Sequence, residues 1–441
     1  MVSQTVSEPR LLSKGVAHLQ AAVDKLSSKF PGCFLVLTSP EEVLFNYQSG
    51  PLDVLSRETS SPVDENTIIW LSSATRFIVS LAYLQLVDRG LIELDTPMRK
   101  FSPELEEVSK RVLRGFDNDG QPIFEPSTGN ITLRQMLNGT SGFDAEHTAA
   151  VNQWKAIPGN DRGLLNSCKA ESLIYTPPCT QPGEVWRYGP NNDWLSYIFP
   201  AVAHQDLEEY LQQNIFHPLG IQSASFYPHD SPDLVGRVMP LRWLANKTAD
   251  GQLQFEEWTG QQAVHFLPKG RKNIEYPTGG AGLYSTATGM ALILQNILAG
   301  FLHETNSRPL PTGFTPLLSP TQYRLILSPD LELSQLAGME GVLNGYFDLS
   351  KEEGDRFLTV ENVNCNLGGL PMITGKDRKG GWGRRPGSAG WGGAAGTDFY
   401  IDPATGIAVF YSTQLLPGSG PVVKGSKKII ERAVFEALEM D

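Results

Sequence analysis

Long hydrophobic runs are missing from this chain of 441 residues: no stretch of 18 or more apolar residues occurs, so no membrane-spanning helix is expected. Positive charge is in deficit. The chain has 36 Lys+Arg against 48 Asp+Glu, a net charge of −12, whereas a nucleic-acid surface needs a basic footprint. Cysteine is scarce. Cys33, Cys168, Cys179 and Cys365 stand far apart with no CxxC or Cys/His cluster, which argues against a disulfide framework or a zinc site. Histidine is equally thin, with seven residues and no HExxH or other paired ligand spacing. No glycine-rich phosphate loop follows a strand, and no period of 20–50 residues repeats. The opening residues have no apolar core behind a basic start, so a signal peptide is not expected, and a cytoplasmic location follows as the expectation. No metal or organic cofactor is called for, and no nucleic-acid or membrane partner; the oligomeric state is not readable.

What is present is a globular composition, 40% hydrophobic and 19% charged. Leu12, Val16, Leu19, Val23 and Leu26 form one apolar stripe of a helix. Two short apolar runs follow, residues 33–38 and 43–48, and read as a β-hairpin. The far end mirrors this: runs at 397–402 and 407–413 flank Pro403-Ala-Thr-Gly, and Ile430, Val434 and Leu438 share a face of a last helix. Pairing the two ends in one antiparallel sheet, with both helices on it, would bury all these faces together. Residues 70–96 read as a buried helix ended by Gly90. Residues 97–275 read as loops around short helices, and residues 305–322 and 366–390 as long loops. The expected organisation is an α/β domain from residues 1–96 plus 276–441, with a mostly helical insertion over 97–275.

The densest chemical signal is Leu71-Ser72-Ser73-Ala74-Thr75-Arg76. A serine opening a buried helix lies near the positive end of the helix dipole, and its own N–H can help hold an oxyanion. Arg76, three positions on, lies about one turn away on the same face. A serine at a helix start is also a common cap, so the pattern alone decides nothing.

Its company gives it weight. Ser73-Ala-Thr-Arg76 leads into LQLVDRGLIELDTPM. Ile131-Thr-Leu-Arg-Gln-Met-Leu-Asn-Gly-Thr-Ser-Gly142 follows, then Gly183-Glu-Val-Trp-Arg-Tyr188-Gly-Pro-Asn-Asn-Asp193, Pro218-Leu-Gly-Ile221, Gly279-Gly-Ala-Gly-Leu-Tyr-Ser-Thr286 and Trp391-Gly392-Gly393. In this order the segments resemble the serine β-lactamase/penicillin-binding-protein-like superfamily, in particular its esterase and transesterase branch. The resemblance implies a β-lactamase-like α/β fold, an antiparallel sheet flanked by helices, with the active site in a cleft between sheet domain and insertion. It implies Ser73 as nucleophile at the S-x-x-K serine and Tyr188 as the proton-transferring tyrosine. Trp391-Gly392-Gly393 would be an edge strand at the K-T-G position, supplying a backbone N–H to the oxyanion. Asn191 is a candidate for the asparagine that follows the tyrosine in many relatives.

Three departures matter. The S-x-x-K lysine is Arg76, and a guanidinium, unlike an amine, cannot serve as a base. The histidine of the family's HTSG segment is Gly139. The asparagine two places after the tyrosine is Pro190, with Asn191 one residue later. The leading expectation is a serine-dependent acyltransferase or esterase acting on a small-molecule, secondary-metabolite substrate through an acyl-enzyme on Ser73. The alternative is non-covalent isomerisation, elimination or cyclisation, with Tyr188 as acid/base and Arg76 as a fixed cation. Trp154, Trp243, Phe255, Trp258 and Phe266 are expected to line the mouth of the cleft.

Arg76→Lys separates the two readings. If Arg76 only replaces the family lysine, ester hydrolysis by the variant matches or exceeds wild type. If Arg76 acts as a forked cation on a bound intermediate, its native activity drops roughly ten- to a hundredfold, the cost of one charge-assisted hydrogen bond. Steady-state kinetics of the purified variant distinguish the two signs.

Overall fold

The computed structural model describes residues 9–145, 148–160, 168–259, 270–339, 360–375 and 383–440. Its centre is a seven-stranded sheet built from both ends of the chain. The strands are β1 (Cys33–Thr38), β2 (Val43–Ser49), β3 (Val363–Cys365), β4 (Pro371–Ile373), β5 (Ala389–Gly393), β6 (Thr397–Asp402) and β7 (Ile407–Ser412). They lie in the order β2-β1-β7-β6-β5-β4-β3, every neighbour antiparallel. The register Leu35↔Tyr411 joins the first hairpin to the last, within which Phe399 pairs with Phe410.

Both faces of the sheet are covered, so its central strands β1, β6 and β7 are buried at every position rather than at alternate ones. Leu35, Leu37, Tyr400, Val409 and Tyr411 meet helices α1 (Ser13–Ser27) and α5 (Pro421–Leu438) on one face. Phe34, Val36, Phe399, Ile401 and Phe410 face the other core, which holds α2 (Thr75–Asp88) and α4 (Ala287–Asn306). Phe77 of α2 packs on Phe399, ring centroids 5.9 Å apart. Helix α2 is buried nearly all round, as a helix enclosed by other elements must be.

The sequence reading holds for the two terminal hairpins and their helices. It needs correction between 366 and 390, read as loop: β4 lies inside it, paired to β3 through Met372↔Asn364. Residues 97–275 contain helix α3 (Asn191–Ala203) and shorter helices, but also two hairpins, Arg111–Phe116 with Pro122–Pro126 and Arg242–Lys247 with Leu253–Glu257. The second runs parallel to Leu415–Leu416, tying this middle region to the sheet's last connection.

One buried carboxylate makes stability depend on pH. Asp402, at the β6–β7 turn, accepts hydrogen bonds from the Arg385 and Thr405 amides, yet burial pushes its carboxyl up to about 6. A folded-state pKa raised above the unfolded value favours the folded protein fully below about pH 4, and that contribution is lost as pH rises through about 6. The loss amounts to about 3 kcal/mol, two pKa units at about 1.4 kcal/mol each. Asp402→Asn cannot ionise, so its urea-unfolding free energy should gain on wild type by about that amount between pH 4 and pH 7; a constant difference over that range refutes the assignment.

Candidate active site

Ser73 lies in a short 3-10 turn, Ser72–Ala74, that leads directly into α2. The strand pair Ile69–Trp70 with Tyr284–Ser285 brings the chain to this point, and the Leu71 amide donates to the Leu283 carbonyl. Ser73 is half-buried, so its hydroxyl remains open to a substrate.

Tyr188 reaches it from a braced loop. Gly183 N–H donates to Thr140 O, Arg187 N–H to Gly139 O and Trp186 N–H to Gln335 O, while Tyr188 O accepts from the Ala145 amide. The departure at Gly139 has a physical reason here. Its φ of +84° is the left-handed conformation that ends the helix Leu133–Asn138. A Cβ there would lie 2.6 Å from the Trp186 indole nitrogen, so no histidine fits without displacing Trp186. Held this way, Tyr188 Oη donates to Ser73 Oγ at 2.9 Å.

Arg76 lies one turn along α2. Its guanidinium carbon is 4.1 Å from the centre of the Tyr188 ring, and Nη1 donates to Gly189 O at 2.8 Å and to Asn192 Oδ1 at 3.4 Å. The cation therefore lies over the ring of Tyr188, within range of a favourable cation–π contact. Asn192 Nδ2 donates back to Arg76 O at 3.1 Å and to Ser80 Oγ at 3.3 Å. Beyond it lies Asp193, 1% exposed, its carboxylate accepting from Thr278 Oγ1 and from the Gly280 amide. Burial raises the pKa of Asp193, and the Arg76 charge and these two hydrogen bonds pull against that rise.

The structure thus brings Ser73, Arg76 and Tyr188 together. Asn191 is turned away: its Oδ1 accepts from Ser141 Oγ inside the 139–142 turn, and it is Asn192 that meets Arg76. Trp391 joins the group, its ring 5.3 Å from that of Tyr188 and tilted by 34°. Strand β5 is not at the edge of the sheet, as the sequence reading had it, because β4 and β3 lie beyond it. Among the described residues β4 meets it through Met372↔Ala389. Gly393 presses on the turn that carries Ser73: a Cβ there would lie 2.8 Å from both Leu71 O and Ser72 Cβ. The amide that bonds to this turn belongs to the next residue, Ala394, donating to Ser72 Oγ at 3.0 Å.

The four of the expected wall aromatics that are described do not share one cluster. Trp154 packs edge-on against Phe124, Phe255 against the core between the sheet and α1/α5, and Trp243 and Trp258 against a cluster around Trp70 and Tyr284. Phe266 lies outside the described residues. Among the described residues no group of three or more His, Cys, Asp or Glu is placed to hold a metal ion.

Comparisons with known proteins extend over nearly the whole chain. Residues 16–433 match the Beta-lactamase family. The chain belongs to the Beta-lactamase family. This Beta-lactamase family member is 28% identical over 424 residues to lovastatin esterase of Penicillium rubens, covering 94% of this chain and 96% of that one. It is 29% identical over 380 residues to monacolin J acid methylbutanoyltransferase of Aspergillus terreus, covering 85% and 83%. Among solved structures it resembles unliganded simvastatin synthase (LovD) from Aspergillus terreus, with a TM-score of 0.78, 26% identity and coverage of 96% and 98%. This family member is an enzyme of the acyltransferase and esterase kind.

Tyr188→Phe removes one hydroxyl and leaves the ring between Arg76 and Trp391. Proton transfer by a placed side chain contributes about 10²–10⁴-fold, so ester turnover should fall at least about a hundredfold with the melting temperature little changed. A folded variant that keeps more than half the activity excludes Tyr188 from the chemistry.

Proposed function

We propose that this protein transfers an acyl group from a small-molecule ester or thioester to an alcohol or water through an acyl-enzyme on Ser73. The observation that carries this reading is the 2.9 Å contact between Tyr188 Oη and Ser73 Oγ, with a permanent cation over the same tyrosine ring. In the resting site Tyr188 is the donor. For the attack Tyr188 first releases its proton to solvent, so that the bond reverses and Ser73 becomes the donor. Ser73 Oγ then bonds to the acyl carbon while its proton passes to Tyr188. The donor's C–O or C–S bond breaks, and Tyr188 returns the proton to the departing alcohol or thiol. The second half runs the same steps in reverse with the accepting alcohol or water. The Ser73 amide and a backbone amide of the Trp391-Gly392-Gly393 strand supply the oxyanion donors.

Arg76 takes no proton in this scheme. The non-covalent alternative needs it to offer two parallel hydrogen bonds to a substrate anion. With Nη1 shared between Gly189 and Asn192 and the guanidinium over Tyr188, the geometry favours the covalent reading. The relatives' names point to a secondary-metabolite alcohol as acceptor and a short branched acyl group, as in a methylbutanoyl transfer. We place the cleft between the sheet domain, residues 1–96 and 276–441, and residues 97–275, which contribute Tyr188. We place the reaction in the cytoplasm: all four cysteines lie among the described residues, buried, and none forms a disulfide.

Incubation with a fluorophosphonate tests the covalent step. Intact-mass analysis should show a single adduct, mapped to Ser73 and absent from Ser73→Ala. A folded wild-type protein with no adduct and no turnover of p-nitrophenyl esters transfers the assignment to the non-covalent reading.

A further inference from the structure

Resting on the acyl-transfer reading, we infer that Ser72, the residue before the nucleophile, is a positioning residue that ties the Trp391-Gly392-Gly393 strand to the nucleophile's turn through its hydroxyl. Four observations support this. Ser72 has a φ of +50°, a left-handed conformation that a non-glycine residue adopts only when its surroundings enforce it. It is 1% exposed, so its hydroxyl is out of reach of substrate and cannot itself be the nucleophile. Its Oγ accepts the Ala394 amide at 3.0 Å, the hydrogen bond that joins the end of β5 to this turn. Its carbonyl accepts from Thr75 Oγ1 at 2.7 Å, and Thr75 Oγ1 accepts in turn from the Leu283 amide, so the turn is fixed on its other side as well.

The strained backbone follows from this position. A residue 72 with φ below zero would send the chain elsewhere, and Gly393, whose Cβ would collide with Ser72 Cβ, shows how closely the two segments approach. Thr397 Oγ1 adds a second tie by donating to Leu71 O at 3.3 Å. An oxyanion hole works only when its donors are already in place, because reorganising them during the reaction forfeits their effect. The donors here come from two separate segments, the start of α2 and the end of β5. Ser72 is the side chain that bridges them.

Ser72→Ala and Ser72→Gly test the assignment together. Alanine keeps the strain and loses the hydroxyl; glycine loses both. With a net hydrogen-bond contribution of ordinary size, both variants should lose about three- to tenfold in kcat for ester hydrolysis, with KM within about twofold of wild type. In hydrogen–deuterium exchange, peptides covering residues 389–397 should exchange faster in both variants while those of α2 stay protected. Wild-type kcat in both variants, or unchanged exchange over 389–397, overturns the inference. So does loss in Ser72→Ala with full activity in Ser72→Gly, which would assign the effect to backbone strain. A rise in kcat also overturns it, since the hydroxyl would then be competing with the oxyanion for the amide. The exchange measurement needs no turnover. An inactive wild type without a Ser73 adduct refutes the acyl-transfer reading, while exchange still judges Ser72.

Discussion

A guanidinium lying on a tyrosine ring organises this site, and much of the surrounding sequence follows from the need to keep that charge in place. A cation taken from water must find partners or the fold pays several kcal/mol. Arg76 finds the Gly189 carbonyl, the Asn192 side chain and the field of buried Asp193. Asp193 needs donors in turn and takes them from Thr278 and Gly280. The carboxylate comes so close to Gly280 that a Cβ there would lie 2.4 Å from it, which accounts for a glycine in the Thr278-Gly279-Gly280 turn. One fixed charge thus links α2, the start of α3 and the turn before α4, three segments far apart in sequence.

Replacing the family's lysine with arginine divides two duties that one side chain could otherwise hold. Lysine can carry charge or, when desolvated, lose it and accept a proton. Arginine keeps only the first duty. In the proposed reaction proton transfer is left to Tyr188, whose loop is braced by Gly139, Thr140 and Gln335, with Trp391 beside the ring. A tyrosine working alone in that scheme needs its oxygen held at one distance from the serine, and the braces on the 183–190 segment would serve that requirement.

Much of this was legible in the sequence, and the gaps have physical reasons. The terminal hairpins were readable because each is a pair of short apolar runs around a turn. Helix α4 gives no amphipathic stripe, since most of its circumference is buried. Strands β3 and β4 have three residues each, too few for a period of two to show. Ser73, Arg76 and Tyr188 could be placed by spacing and resemblance. The choice between Asn191 and Asn192 could not, because Pro190 starts α3 and successive residues on a helix point about 100° apart, so the phase of the first turn decides which reaches Arg76. Ser72 and Ala394 carry no chemical signature in sequence; only the approach of two backbones reveals them. The five aromatics looked alike in sequence, but the four that are described pack in three separate neighbourhoods.

The pairing of β1 with β7 also has a consequence for how the molecule comes into being. Residues 33–38 await partners at 407–412, so the centre of the sheet can close only after nearly the whole polypeptide has left the ribosome. Contacts of such long sequence separation are slow to form, and until they do the apolar faces of the first hairpin stay uncovered. The α2 segment packs on strands that arrive some 320 residues later, as Phe77 does on Phe399, so the surroundings of Ser73 are among the last parts to assemble. A nascent chain interrupted before β6 therefore exposes an incomplete sheet to aggregation and to chaperones, and holds Ser73 in no reactive setting.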